Sequence, residues 1–330
     1  MSIHKERVRA VLKGEMPDRV PISMWRHFYE KESTADGLAE AMISFQRKYD
    51  WDFIKVNPRA SYHIEGWGAK VAFNHGPRRK TEVIEYPIKK TEDWKIFESL
   101  KFSKKALNEQ PRALKLIKKE LKDDIFLVHT IFTPLSIAGD LVPEEKDLVQ
   151  AMKENPQMIH SALRVITEIF SDFAVECLNA GADGIFFATT EWATKDILTE
   201  EEYLEFGKPY DLKVLKKIES SEFNMLHVCK SNNLLPLFVD YPVNVVNWNA
   251  TDPTNLDLKE GSKLLNKVVL GGIDGDNLLL NGKPEEVFKE IKKVIGDNQK
   301  IRFMLGPGCT ISTQIPEGNL RAVRKAVEIS

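Results

Sequence analysis

At 330 residues the chain fits about two domains at roughly 150 residues each, or one (β/α)8 barrel with insertions. Forty-seven Lys and Arg stand against 49 Asp and Glu, a formal charge of −2 with the signs interspersed. No basic stripe is therefore available for a phosphate backbone or an anionic membrane, and nucleic acid is not an expected partner. With 42% hydrophobic and 29% charged residues, the composition is that of a globular protein with a large core.

The start, Met1-Ser2-Ile3-His4-Lys5-Glu6-Arg7, has no apolar signal region behind it, and no stretch approaches the roughly 18 uncharged apolar residues of a membrane span. The expectation is a cytoplasmic protein without a membrane partner. From about residue 20, short β-branched or aromatic runs alternate with amphipathic stretches, which predicts βα units. Eight strands are expected: Val20 to Trp25, Phe53 to Asn57, Ile125 to Phe132, Gly184 to Thr189, Phe223 to Cys229, Val243 to Asn249, Val268 to Asp274 and Ile301 to Gly306. Most are continuous apolar runs, as strands covered on both faces are. Eight such strands predict a closed (β/α)8 TIM barrel, an α/β fold forming one domain over residues 1–330.

Between the strands, Asn155-Pro156 opens a helix whose apolar residues Ile159, Leu163, Ile166, Phe170, Phe173 and Cys177 recur at helical spacing, and Asn179 and Gly181 end it. Thr199 with Glu202 reads as a capping box, and Pro284 with Glu285 and Glu286 starts another helix. Residues 58–124 fit the rhythm least. Gly66, Gly68, Gly76, Pro77 and Pro87 break the run, and Thr81 to Ile88 reads as a short exposed strand. This stretch is expected to be an insertion after the second strand. The Lys-rich stretches near 115–122 and 289–293 read as exposed helix faces.

Three cysteines, Cys177, Cys229 and Cys309, argue against a disulfide framework and leave packing, metal ligation or catalysis. Cys177 lies on its helix's apolar stripe and reads as core. His227-Val228-Cys229 closes the fifth predicted strand, where residues i and i+2 share a face. Cys309 follows the eighth strand in Gly306-Pro307-Gly308-Cys309, and strands 5 and 8 of a closed barrel both reach its C-terminal face. A site of two thiolates and one imidazole suits Zn²⁺ with the fourth position open. The alternative is a buried histidine with two inert thiols.

The whole chain resembles the uroporphyrinogen decarboxylase superfamily. The resemblance rests on Arg7 to Pro21, with Asp18-Arg19-Val20-Pro21 at its end, on Gly181-Ala-Asp-Gly, on Leu270-Gly-Gly-Ile-Asp274, and on Leu305-Gly-Pro-Gly308 followed by Pro316-Glu317-Gly-Asn319. It implies a (β/α)8 barrel. The decarboxylases hold substrate carboxylates with the two arginines of an Arg-Gln-Ala-Gly-Arg-Tyr segment, where this chain has Trp25-Arg26-His27-Phe28-Tyr29-Glu30 and lacks the second arginine. Their key aspartate is replaced by Val56-Asn57-Pro58-Arg59, and their late histidine turn by Pro307-Gly308-Cys309. The cobalamin-dependent methyltransferase branch instead uses zinc on His-x-Cys and a later Cys, which His227, Cys229 and Cys309 match position by position. Some relatives add a carboxylate from the sixth strand, where Asn247-Trp248-Asn249 stands here.

The resemblance thus implies a zinc-dependent methyltransferase acting on a small molecule and on a corrinoid (cobalamin) carried by a partner protein, with a homodimer left open. Trp25, His27, Phe28, Tyr29, Trp67, Trp192 and Trp248 fall near strand ends and would form an aromatic wall at the mouth. That wall favours a methoxylated aromatic donor, demethylated at oxygen. A neutral site, +2 − 2 = 0, favours a thiol acceptor such as coenzyme M, but no sulfonate clamp is evident beyond Arg26 and Arg59. The favoured substrate is therefore the methoxylated aromatic, its methyl group passing to the cobalt of the partner's corrinoid, with the thiol as the alternative. Candidate substrate-binding or catalytic residues are Trp25, Arg26, His27, Tyr29, Asn57, Arg59, His129, Glu191, Asn247 and Asn249, with Glu65 as a second acid-base candidate. A cofactor-free decarboxylase and a noncatalytic corrinoid-protein partner are the readings from other classes.

Overall fold

The computed structural model describes residues 3–328 except 74, 75, 77, 79, 100, 101 and 123, so Met1, Ser2 and Pro77 lie outside the described residues. Its strands are β1 (Phe53–Val56), β2 (Lys70–Ala72), β3 (Glu82–Glu85), β4 (Phe126–Phe132), β5 (Gly184–Ala188), β6 (Met225–Val228), β7 (Val245–Trp248), β8 (Val268–Ile273) and β9 (Phe303–Pro307). Seven of them form one curled parallel sheet in the order β1-β4-β5-β6-β7-β8-β9. Helices connect them, giving an α/β fold.

Alternation along the strands divides the core in two. One cluster, on the concave face, holds Trp25, Phe53, Phe126, Val128, Phe186, Phe223, Met225, Val245, Leu270 and Met304. The helix Ile3–Lys13 adds Val8 and Val11 to it. The residues between, including Ile54, Leu127, Phe187, Leu226, Val246 and Leu305, face the surrounding helices. Apolar residues on both sides explain why these strands read as continuous runs.

The helical punctuation works as expected. Asn155 accepts from Met158 N at 3.3 Å to start the helix Pro156–Asn179, and the six apolar residues of its stripe are all buried. Thr199 and Glu202 exchange hydrogen bonds of 3.1 and 2.9 Å in a capping box, and a helix spans Pro284–Asp297.

Two expectations need correction. Val20 to Trp25 is no regular strand: Pro21 has no N–H to give, and Ile22 N donates to the Asp52 carboxylate at 2.9 Å instead of a ladder carbonyl. The segment still touches both edges of the sheet. Leu305 N donates to Pro21 O at 2.8 Å and Ser23 N to Leu305 O at 3.2 Å, while Asp52 N donates to Ile22 O at 2.8 Å and Ser23 Oγ to Phe53 O at 2.6 Å. The strand expected over Thr81 to Ile88 is shorter and pairs antiparallel with β2, a three-residue strand too short to show alternation. Among the described residues no helix is long and apolar enough to cross a membrane.

Candidate metal centre

In β6, Leu226 and Val228 face outward, so Met225 and His227 point to the concave face and Cys229 continues that side. β9 delivers Cys309 through Gly308, where a Cβ would lie 2.6 Å from Asn249 Cα and 2.7 Å from Asn249 Oδ1. The absent side chain lets the two backbones approach, which brings Cys309 to the end of β6.

One ligand atom each from His227, Cys229 and Cys309 lies within 4.8 Å of the others. The two sulfurs are 3.6 Å apart, too far for a disulfide and near the roughly 3.8 Å edge of a tetrahedron with about 2.3 Å metal–sulfur bonds. His227 is oriented from behind. Its Nδ1 lies 2.7 Å from Asn247 Oδ1, while Asn247 Nδ2 donates to Leu270 O at 2.8 Å and Pro307 O at 3.1 Å. With both amide hydrogens committed to carbonyls, Asn247 Oδ1 must accept from His227 Nδ1, which leaves the lone pair on Nε2. His227 is buried and Cys309 exposed, so the donor set is closed on one side and open on the other. The residues fit a zinc ion with one free position. Without an ion, the hydrogen bond from Cys229 and the nearby His227 hold Cys309 well below the usual thiol range. The same sulfur contact and burial push Cys229 up.

A buried cation lies on the same concave face. Lys55, 5% exposed, donates to Asn57 Oδ1. Its Nζ lies 4.6 Å from the centre of the Phe186 ring, and that ring stacks on His227 at 5.3 Å. Burial pushes Lys55 down to about 7, against the pull of Cys309, Cys229 and Glu32.

A profile of the uroporphyrinogen decarboxylase (URO-D) family matches residues 3–329. The chain belongs to the URO-D family. It is 22% identical over 339 residues to the methylcobamide:CoM methyltransferase MtbA of Methanosarcina acetivorans, covering 96% of this chain and 95% of that protein. It is 29% identical over 195 residues to the uroporphyrinogen decarboxylase of Chlorobaculum parvum, covering 56% of this chain and 52% of that one. The chain thus spans about half the length of this decarboxylase and nearly all of the methyltransferase. A solved methyltransferase from Methanosarcina mazei shares the fold with a TM-score of 0.83 at 20% identity, over 100% of this chain and 99% of that chain.

Among the other residues singled out in this URO-D chain, Arg26 is half-buried with its Nε unpaired, between the Phe28 and Phe45 rings at 5.0 and 5.3 Å. His27 Nδ1 is 3.0 Å from the Glu32 carboxylate, and its ring stacks on Tyr29 at 5.1 Å. Asn57 is occupied by Lys55, and Asn249 Oδ1 accepts from Thr251 Oγ1 at 2.7 Å. Burial and the neighbouring Asp140 push Glu191 up to about 6.

Three expectations fail. Arg59 is no free anion clamp, because it is buried and paired with Glu65 at 2.7 Å and Glu109 at 2.5 Å; the first pair also engages Glu65. His129 does not reach the mouth. It faces outward with Leu127 and Ile131, beside Tyr62 and Phe173, and among the described residues neither ring nitrogen has a hydrogen-bond partner. Burial, with Lys55 nearby, pushes it down to about 3. The expected aromatic wall is not formed by its four indoles, since Trp25, Trp67, Trp192 and Trp248 are each at most 2% exposed, while His27, Phe28 and Tyr29 are half-buried. Trp25 packs at the concave core, Trp67 against Phe97 and Phe102, Trp192 over Gly139, and Trp248 over Gly261.

Lys55 was missed, although the sequence marked it: a lysine in the run Phe53-Ile54-Lys55-Val56 alternates with Phe53 onto the buried inner face.

Proposed function

We propose that this URO-D chain is a corrinoid-dependent methyltransferase, that His227, Cys229 and Cys309 hold a zinc ion, and that its small-molecule partner is a thiol. The observation that carries the reading is the compact His227–Cys229–Cys309 triad with Asn247 fixing the imidazole. The near full-length likeness to a methylcobamide:CoM methyltransferase supports it. We read the fold as a closed (β/α)8 barrel of one domain, with residues 58–124 as an insertion. The hydrogen bonds of residues 21–23 to both β9 and the start of β1 support closure.

When bound, zinc supplies a Lewis acid that keeps a coordinated thiol deprotonated near neutral pH. The protein's part is to present two thiolates and one oriented imidazole and to keep the fourth direction open on the Cys309 side. In the transfer, the substrate sulfur's electron pair forms the S–C bond as the C–Co bond of the partner's methylcorrinoid breaks, with that bond's pair remaining on cobalt.

A thiol is favoured over the methoxyaromatic because the four indoles offered as an aromatic wall are buried. One observation keeps the ether as a second reading: the stacked His27–Tyr29 pair remains half-buried beside the segment that bridges to Ile311. The test supplies zinc-loaded protein with methylcobalamin and 2-mercaptoethanol and follows cob(I)alamin and methyl thioether. The expected result is stoichiometric formation of both, absent after chelation. Methylation of cob(I)alamin by a methoxyaromatic with no thiol methylation would establish the second reading. Decarboxylation of a carboxylic acid by metal-free protein, with neither transfer, would overturn both.

A further inference from the structure

A buried ammonium is expensive unless an anion or several dipoles answer it. Lys55 lies in the concave core among Trp25, Phe186 and their apolar neighbours. Its hydrogen-bond acceptor is the neutral amide oxygen of Asn57. The groups whose negative charge would act on it are led by Cys309 and Cys229, both thiolates once a metal holds them, with Glu32 third. Among the described residues no carboxylate forms an ion pair with it, whereas Arg7, Arg19 and Arg59 each have one. Two thiolates and a divalent zinc ion sum to −2 + 2 = 0, so the loaded site leaves Lys55 without a full counter-charge. A thiolate in the open position makes the site −1, and the protonated form of Lys55, which that charge favours, returns the sum to zero. A neutral ether or thioether does not.

Resting on the methyltransferase reading above, we propose that Lys55 is a specificity-determining residue: its buried ammonium, beside the Phe186 ring that stacks on His227, selects an anionic sulfur over a neutral methylated ligand for the open side of the metal centre. The selection acts through the field, without a direct bond to the ligand. Charges several ångströms apart in a medium of effective dielectric about 20 change binding by roughly tenfold to a hundredfold. The same geometry gives a role to a lysine that stands where the alternating pattern calls for an apolar residue. Its long stem follows the aromatic rings, while its head supplies charge to the polar end of the core.

The test uses the full chain loaded with Co²⁺ in place of zinc, so that ligand binding is read from the cobalt absorption spectrum and not from turnover. 2-Mercaptoethanol and its S-methyl ether are titrated against wild type, Lys55→Met and Lys55→Arg. Expected are equal metal contents, a loss of tenfold or more in thiol affinity in Lys55→Met, thioether affinity within about twofold throughout, and thiol affinity recovered in Lys55→Arg. Unchanged thiol affinity in Lys55→Met, or equal losses for both ligands, overturns the proposal and leaves the metal centre standing. Should Lys55→Met fail to fold, Lys55→Gln keeps a polar group without charge and is read by the same criteria. A wild-type protein that takes up no metal overturns the metal reading itself, and this proposal with it.

Discussion

At the N-terminal ends of the strands, the fully buried Asp52 meets His4 at 2.9 Å, Arg7 at 2.5 Å and Arg19 at 2.7 Å, and Arg7 turns its other edge to Asp18 at 2.6 and 2.7 Å. At the C-terminal ends, by contrast, His227 turns Nε2 toward two thiols, and among the described residues Lys55 has no carboxylate partner and Arg26 Nε no acceptor. One end satisfies its charges internally; the other leaves some polar groups without a charged partner among the described residues. On the proposed barrel reading, that division is the general one for such folds, in which the bottom stabilises and the top reacts. It makes the chemistry of the upper end separable from folding.

Breaking the lower end should have the largest effect. Asp52→Ala strands Arg19, leaves Arg7 with Asp18 alone, and is expected to remove about 3–5 kcal/mol of stability, read by urea denaturation. A loss below about 1 kcal/mol would show that the cluster is not structural. Asp211 sharpens the contrast because it is buried with no ion pair among the described residues, accepting from Tyr203 at 2.8 Å and Tyr241 at 2.9 Å. Burial pushes it up to about 7 despite those two bonds. The folded chain therefore keeps a proton that the unfolded chain releases near pH 4, so this group's contribution falls as pH rises from about 4 toward 7 and levels off above. Between pH 5 and 7, wild type should lose on the order of 2 kcal/mol relative to Asp211→Asn, and parallel stability curves would contradict this.

At the upper end the effects should fall on the ion. Asn247→Ala removes the acceptor that orients His227 and is expected to weaken zinc binding by about tenfold to a hundredfold, measured by competition with a chelator. Unaltered affinity would sink the orienting role. The smallest effect belongs to the remaining thiol. Cys177→Ala, in the helix core, should cost about 1 kcal/mol and leave metal content unchanged; loss of zinc would tie that helix to the site.

The parallel sheet was legible because burial on both faces writes each strand as an apolar run, as in Phe126–Phe132. The first segment was not, since its run of apolar letters hides Pro21 and an N–H claimed by Asp52. Alternation plus the Gly308 turn made the triad possible, and the resemblance to the cobalamin-dependent methyltransferases singled it out. The same alternation placed Asn247 and Asn249 inward and therefore Trp248 outward, so reading indoles at strand ends as a wall overlooked a signal already present. Arg59 was illegible for another reason. Its partner Glu109 lies 50 residues away, and only the folded chain brings them together.

The most direct measurement is zinc content by elemental analysis of protein purified without added metal, beside His227→Ala and Cys229→Ala variants of demonstrated fold. About one zinc per chain, lost in both variants, is the predicted result. No zinc in the native chain after reconstitution under reducing conditions, or equal zinc in all three proteins, would contradict the account.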